Sequence, residues 1–370
     1  MSRVLLTQGQ FPEALLRPTV NYIARCQLSS GAIPWFPEGK IDPWDHLESA
    51  MGLAIGGAFE EAQAAFAWLE ATQRADGSWP ATFASDGTPT TPRAESNFVA
   101  YGATALYHYF LCAKDLPTVE RFWPMVRRAL AWVLALQSPE GDIAWARDEA
   151  GSICDDALVT GCASIYKSLE CAEALAALVG DDPAPYGAAR KRLGVALRER
   201  PERFDRTWES KARFSMDWFY PVLTGVLSPE AGKARLAARW HEFVEPGLGC
   251  RCVADQPWVT LAETCELTLA LLATGQRQRA AELFGGLHDW RTADGAYWTG
   301  YQFVEKVLWP EEQPTWTAGA ILLAADALTE STGAARLLTG AFQAPALEDD
   351  RLRSMPRVSK SPRTSKSPLS

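Results

Sequence analysis

Two short acidic segments stand out by residue type and spacing. Near the start, Asp45 and Glu48 lie three residues apart, which places both on one helix face beside Trp44 and His46. Near the end, Glu311 and Glu312 precede Trp316. A third acid, Asp217, follows Arg213 by four residues. Paired carboxyl groups do general acid–base chemistry. On a glycoside, one protonates the leaving oxygen and the other activates water or attacks the sugar. A separation of about 6.5–9.5 Å goes with inversion and about 5–5.5 Å with retention. The acid side is placed at Asp45 or Glu48 and the base side at Glu311 or Glu312, with Asp217 as a further candidate. Each position also has a structural reading. Asp45 and Glu48 fit an N-cap acid and its partner three residues on. Glu311 and Glu312 fit helix-start acids, and Asp217 fits an ion pair with Arg213. Asp155 and Asp156 fit caps before a helix near Ala157.

The chain holds 15 Trp among its 370 residues. Those in or beside long loops are candidates for covering the apolar face of a sugar ring, while carboxylates and Arg bond its hydroxyls. The expected substrate contacts are Trp44, His46, Trp79, Asn97, Trp145, Arg147, Asp156, Arg213, Tyr220, Trp258, Glu263, Trp298, Tyr301 and Trp316. Trp68 and Trp132 lie inside helices and are expected in the core. Four His show no paired ligand spacing and Cys250-x-Cys252 is too tight for a zinc site, so no metal is expected. No phosphate loop, dinucleotide fingerprint or nucleophile elbow is present, and no cofactor is expected.

Charge narrows the partners. Residues 1–350 carry 30 basic and 45 acidic side chains, whereas Arg351–Ser370 carries six basic and none acidic. So acidic a body lacks the basic footprint that nucleic acid or an anionic membrane needs. No run approaches 18 apolar residues, so no membrane-spanning helix is expected. The eight Cys show no framework spacing and predict reduced thiols in a cytoplasmic protein.

These side chains must be carried by helices. The 3.6-residue periodicity predicts helices near 10–28, 44–57, 59–74, 94–113, 116–137, 157–179, 184–200, 217–227, 230–243, 257–274, 276–290 and 314–331. Connections alternate strictly. Short ones follow the even-numbered helices; long ones fall at 29–43, 75–93, 138–156, 201–216, 244–256 and 291–313. Short turns join antiparallel neighbours. Twelve helices then make six hairpins with every long loop at one end, an all-α (α/α)6 toroid spanning 1–340. Residues 341–370, rich in Ser, Pro, Lys and Arg, are expected to form a disordered tail.

One element recurs at helix ends: Leu69-x3-Gln73-x3-Gly77-x-Trp79, with counterparts at Ile23–Ile33 and Val133–Ile143 and a looser copy at Leu287–Tyr297. The 154-residue gap before the last copy leaves room for two degenerate ones. With Phe66 and Trp68 ahead of it, the element resembles the QW repeat of the terpenoid cyclases, which share a toroid with the prenyltransferase β subunits. That resemblance implies an isoprenoid-handling ring. However, the three Asp-Asp pairs are preceded by Ile153, Val179 and Leu347, so no Asp-x-Asp-Asp exists. No Asp-Asp-x-x-Asp or Asp-x-Cys exists either; Glu263-x-Cys265 comes nearest.

A second resemblance spans the ring. Asp42-Pro43-Trp44-Asp45-His46-Leu47-Glu48 is similar to the segment that supplies the acid in glucoamylase-like six-hairpin glycosidases. Pro310-Glu311-Glu312-Gln313-Pro314-Thr315-Trp316-Thr317 is similar to their Glu-Gln segment before the final helix. Asp45 departs from the pattern by following the first helix rather than a later one. The leading expectation is an enzyme doing acid–base chemistry on a carbohydrate or glycoconjugate, its partner a small molecule or oligosaccharide. An isoprenoid-handling toroid is the first alternative and a non-catalytic binding toroid the second.

Overall fold

The computed structural model describes residues 6–342. The helices are α1 (Glu13–Cys26), α2 (Pro43–Ile55), α3 (Phe59–Thr72), α4 (Ser96–Ala113), α5 (Leu116–Leu134), α6 (Val159–Val179), α7 (Ala184–Glu199), α8 (Ser215–Leu223), α9 (Pro229–Phe243), α10 (Leu261–Ala273), α11 (Arg277–Gly285) and α12 (Thr315–Thr329). Each even-numbered helix packs on the next even-numbered one, and α12 packs back on α2. These six form the inner wall and the odd-numbered helices the outer wall. The sixth hairpin is non-local: α12 pairs with α1. The inner helices are nearly all apolar or small on every face, as a helix buried all round must be. In α10, Leu261 through Leu271 are all buried. No described helix is long and apolar enough to cross a membrane.

The long loops also carry short strands that the helical periodicity did not predict: β1 (Thr82–Phe83), β2 (Pro89–Thr91), β3 (Ala94–Glu95), β4 (Ala146–Arg147), β5 (Ile153–Cys154), β6 (Val244–Glu245), β7 (Gly249–Arg251), β8 (Trp258–Thr260), β9 (Gly300–Gln302) and β10 (Val307–Leu308). They form a β1–β2 hairpin, a sheet β3–β4–β5 and a sheet β10–β9–β8–β7–β6. All pairs are antiparallel and two or three residues long. Such strands are too short to leave a periodic signal. They tie loops of neighbouring hairpins together at the mouth of the ring.

The recurrent Gln-x3-Gly element is a staple between outer helices. At the end of α3, Gln73 Nε2 donates to the carbonyl of Gly77 within its own turn and to that of Met125 on α5, at 2.9 and 3.0 Å. Gln27 links the end of α1 to Glu61 on α3, and Gln137 links the end of α5 to Ala189 on α7, in the same way. Gly77 has φ +93°, and a Cβ there would lie 2.5 Å from the Arg128 carbonyl oxygen. Gly31 and Gly141 press on Ala64 and Arg192 alike, and Gly295 after α11 presses on Pro18 of α1, closing the circle. Among the described residues, no such copy follows α7 or α9. There Arg200-Pro201 and the β6–β7 turn take its place, so the two degenerate copies expected in the long gap are not found.

The far end of the ring is covered by residues 330–342. Leu337 and Leu338 are buried, Gly340 N–H donates to the Leu223 carbonyl, and Phe342 packs on Tyr107. The expected tail lies outside the described residues except for Ala341 and Phe342.

The staple is testable through its glycine. Gly77→Ala adds a backbone clash to the left-handed strain of about 1–2 kcal/mol. Gly87→Ala, also at positive φ but with nothing near its added Cβ, incurs only the strain. Chemical denaturation should show Gly77→Ala less stable than Gly87→Ala by about 2 kcal/mol or more; equal midpoints would refute the staple.

Candidate active site

Four carboxyl groups meet at the inner wall in two matching tiers. Helix α2 starts at Pro43 and α10 at Leu261, so Asp45 and Glu263 each occupy the third helical position, and Glu48 and Glu266 follow three residues deeper. At 1.5 Å per residue, the tiers lie about 4.5 Å apart along the axis. Each pair shares one helix face because residues three apart do. Four acids close together on largely apolar inner helices are costly to bury unless they face a polar ligand.

The deeper tier lines an axial cavity to which every inner helix contributes: Glu48, Tyr101, Ser164, Lys167, Tyr220, Cys265, Glu266 and Ala320 among others. Burial pushes the Glu48 carboxyl up to about 8, against the pull of the Trp44 indole; Asp42 and Glu263 add to the rise. Burial, then Glu48 and Glu263, push Glu266 well above the carboxylate range, although the Tyr220 hydroxyl donates to its Oε1 at 2.7 Å. Trp44 stacks on Tyr101 at 5.0 Å and meets Tyr220 edge-on at 5.8 Å. At the floor, buried Lys167 donates to the Gly340 carbonyl at 2.8 Å and pairs with Glu170. Residues 330–342 therefore make the cavity blind.

The upper tier faces the mouth. Burial raises the Asp45 carboxyl well above its ordinary value, reinforced by Asp42 and Glu48. Glu263 is 9 % exposed, and its Oε2 has no protein partner. Nearby helix starts leave further buried polar atoms unpaired: Ser215 Oγ, Thr260 Oγ1, Trp316 Nε1 and Thr317 Oγ1. Unpaired buried polar atoms cost about 1–3 kcal/mol each, and five of the twelve such side-chain atoms among the described residues lie at the starts of α8, α10 and α12. Asp42, not Asp45, is the N-cap: its Oδ1 accepts from Asp45 N–H at 2.9 Å and its Oδ2 from Trp35 Nε1 at 2.8 Å. Capping thus occupies Asp42 and leaves Asp45 free.

The other expected site residues divide. Trp44, Tyr220 and Glu263 belong to the centre, and buried Asn97 lies beside Gly161 at the start of α4. Trp316 meets Trp35 edge-on at 5.8 Å. Trp145 meets Trp208 at 5.7 Å beneath Arg93, Arg147 covers Trp132, Tyr301 stacks on Trp290, and Trp258 contacts Trp309; all four belong to the loops at the mouth. Trp298 is partly buried beside Trp290.

Several residues have structural work instead. His46 is buried, with Nδ1 accepting from Ile33 N–H and Nε2 facing the Ala65 carbonyl; burial lowers its pKa to about 4. Trp79 is buried and donates to the Leu69 carbonyl. Asp156 accepts from Ala157, Arg206 and Thr207; although burial raises its pKa, these bonds carry it below the ordinary value. Asp217 accepts from the Thr160 hydroxyl at 2.6 Å and so fixes the start of α6, while Arg213 pairs with Asp255 rather than with Asp217. Glu311 is exposed and Glu312 partly buried; like Asp45 and Glu263 they do not line the axial cavity, but unlike those two they lie in the loop before α12 rather than on an inner helix. The residues missed from the sequence are Glu266, Tyr101, Trp35 and Lys167. Glu266 and Lys167 had a signal, a charge inside an otherwise apolar helix, which only a functional or paired group tolerates.

Comparison with known proteins supports a carbohydrate-hydrolysing enzyme. No family model matches the chain. The MMP endo-(1,4)-3-O-methyl-α-D-mannosidase of Mycolicibacterium hassiacum is 49 % identical over 316 residues, covering 85 % of this chain and 86 % of that protein. A glycosidase solved in complex with glucose superposes with TM-score 0.68 at 17 % identity, covering 85 % of this chain and 96 % of its own. The GH63 mannosylglycerate hydrolase of Thermus thermophilus gives TM-score 0.60 at 14 % identity, with 83 % and 99 % covered. These structures share the toroid fold. None of these three is an isoprenoid-handling protein, and that reading of the Gln-x3-Gly element gains no support.

The deep carboxyl has a measurable consequence. With a folded pKa of about 8 against an ordinary 4.5, Glu48 holds more protons folded than unfolded between those values. Its contribution is complete below pH 4.5 and is lost as pH rises through 8. Glu48→Gln mimics the protonated acid. Its melting temperature should exceed that of wild type at about pH 8 and the difference should shrink at about pH 5; a pH-independent difference contradicts the assignment. With acids, indoles and unpaired polar groups converging at the mouth of the ring, and a mannosidase relative at 49 % identity, the chain is a glycoside hydrolase-like toroid enzyme belonging to the family of that endo-mannosidase.

Proposed function

We propose that the enzyme cleaves α-(1,4) bonds inside chains of 3-O-methylmannose, with Asp45 as general acid and Glu263 as general base. The observation that carries this is the upper tier: two carboxyl groups at equivalent first-turn positions of α2 and α10. Burial, Asp42 and Glu48 raise the Asp45 pKa, which favours the protonated form that donates to the leaving oxygen. Glu263 Oε2 is buried without a protein partner. The substrate class rests on the 49 % identity to the mannosidase.

Helix α12 stands between α2 and α10. Packed helices lie about 8–10 Å apart, so axes two places apart in a six-membered ring are separated by about 14–17 Å. Below Asp45 and Glu263, burial raises the pKa of Glu48 and of Glu266, the latter bonded by Tyr220, and a neutral deeper tier limits repulsion against the working pair. The eight cysteines, all free thiols, suit the reducing cytoplasm.

Kinetics with two leaving groups tests the roles. Glu263→Gln should lower kcat about 10²–10⁴-fold on every substrate. Asp45→Asn should lose as much on the natural chain but far less on an aryl glycoside whose leaving group needs no proton. Equal losses for Asp45→Asn on both substrates would remove it as the acid. Full activity of Glu263→Gln, with a loss in Glu312→Gln, would return the base to the loop before α12.

A further inference from the structure

We infer that the β9–β10 hairpin, with Trp309 at its end and Trp258 beside it, is a ledge for the O-methylated sugars beyond the cleaved bond. This rests on the substrate class proposed above. Four large hydrophobic side chains are exposed among the described residues, and three belong to this one hairpin: Val304 at 62 %, Val307 at 47 % and Trp309 at 54 %. Pairing sets Trp258 opposite Gln302 and Gln302 opposite Val307. Trp258 and Val307 therefore share a sheet face, and Trp309, two residues on, continues it.

The ledge is pre-set. Trp258 Nε1 donates to the Trp309 carbonyl at 2.6 Å, and the two indoles meet edge-on at 4.9 Å. One indole thus fixes the backbone of the other while the Trp309 ring stays open to solvent. The ledge is also continuous with the site: β8, which carries Trp258, runs directly into α10, whose third residue is Glu263.

The occupant follows from the shape of the ring. Residues 330–342 close the far end, so a polymer cannot thread the axis and must leave over the mouth. An internal cut requires sugars to be held on both sides of the bond. A methyl ether removes a hydrogen-bond donor and adds apolar surface, so the partner for that stretch is an apolar face rather than a polar groove. Trp309 supplies such a face with little side-chain entropy to lose.

The test compares wild type and Trp309→Ala on 3-O-methylated mannose oligosaccharides of increasing length and on their unmethylated counterparts. Trp309 is half exposed, and the carbonyl that anchors Trp258 is retained in the variant, so circular dichroism should match wild type. The expected result is a KM raised about tenfold on long methylated chains, with kcat little changed and no effect on the shortest cleaved chain or on unmethylated chains. Unchanged kinetics at every length, or an equal loss at every length, overturns the ledge while leaving the function standing. Wild type cleaving no methylated chain overturns the substrate class and the ledge with it.

Discussion

The contact that closes the outer wall is the close approach of Gly295, after α11, to the Pro18 carbonyl of α1. These groups lie near opposite ends of the described chain, and the approach is possible only because no Cβ intervenes. Three Gln-x3-Gly staples do the same work between α1, α3, α5 and α7. Each fixes the height of one outer helix against the next. Since every inner helix except α12 is joined to its outer partner by a connection of a few residues, the starts of those inner helices are set at a common level too. The two tiers of acids are level for that reason.

The site then works against its own stability. Four acids on facing inner helices cannot all be charged in a narrow, mostly apolar space. The structure separates them by depth. The deeper pair is pushed towards the neutral form by burial, against the pull of the Trp44 indole on Glu48 and of the Tyr220 hydroxyl on Glu266. The shallower pair lies in the first turns of its helices, near the mouth. Lys167 is the buried cation on the floor, and it is turned to Glu170 and the Gly340 carbonyl rather than to the acids. A cation free to bond Glu48 or Glu266 would restore their charge and undo the neutral floor.

Much of this was legible in the sequence. The alternation of short and long connections carried the toroid, and all twelve helices overlap their expected ranges, although strand β8 takes the first residues of the expected 257–274 helix and α8 and α11 end four or five residues early. Asp45 and Glu48 were legible because their spacing sits beside indoles at a helix start. Glu263 was seen only as a binding residue, and Glu266 not at all, because their partners lie far away in the chain and ring closure brings them together. His46 and Trp79 misled for the opposite reason: a polar or aromatic residue beside a loop reads as exposed, yet both are turned into the wall and bonded to backbone. Asp217 and Arg213 were four apart and looked paired, but the α8 start turns Asp217 towards Thr160 and leaves Arg213 to Asp255. The short strands, two or three residues each, had no pattern to find.

The central claim is that Asp45 and Glu263 flank the bond that is broken. A crystal structure of the Glu263→Gln variant with a bound 3-O-methylated mannose oligosaccharide tests it most directly. The predicted result is a scissile oxygen within hydrogen-bond reach of Asp45 and a water held between the introduced amide at position 263 and the opposite side of the anomeric carbon. An anomeric carbon lying instead against Glu311 or Glu312, with Asp45 and position 263 out of reach, would contradict it.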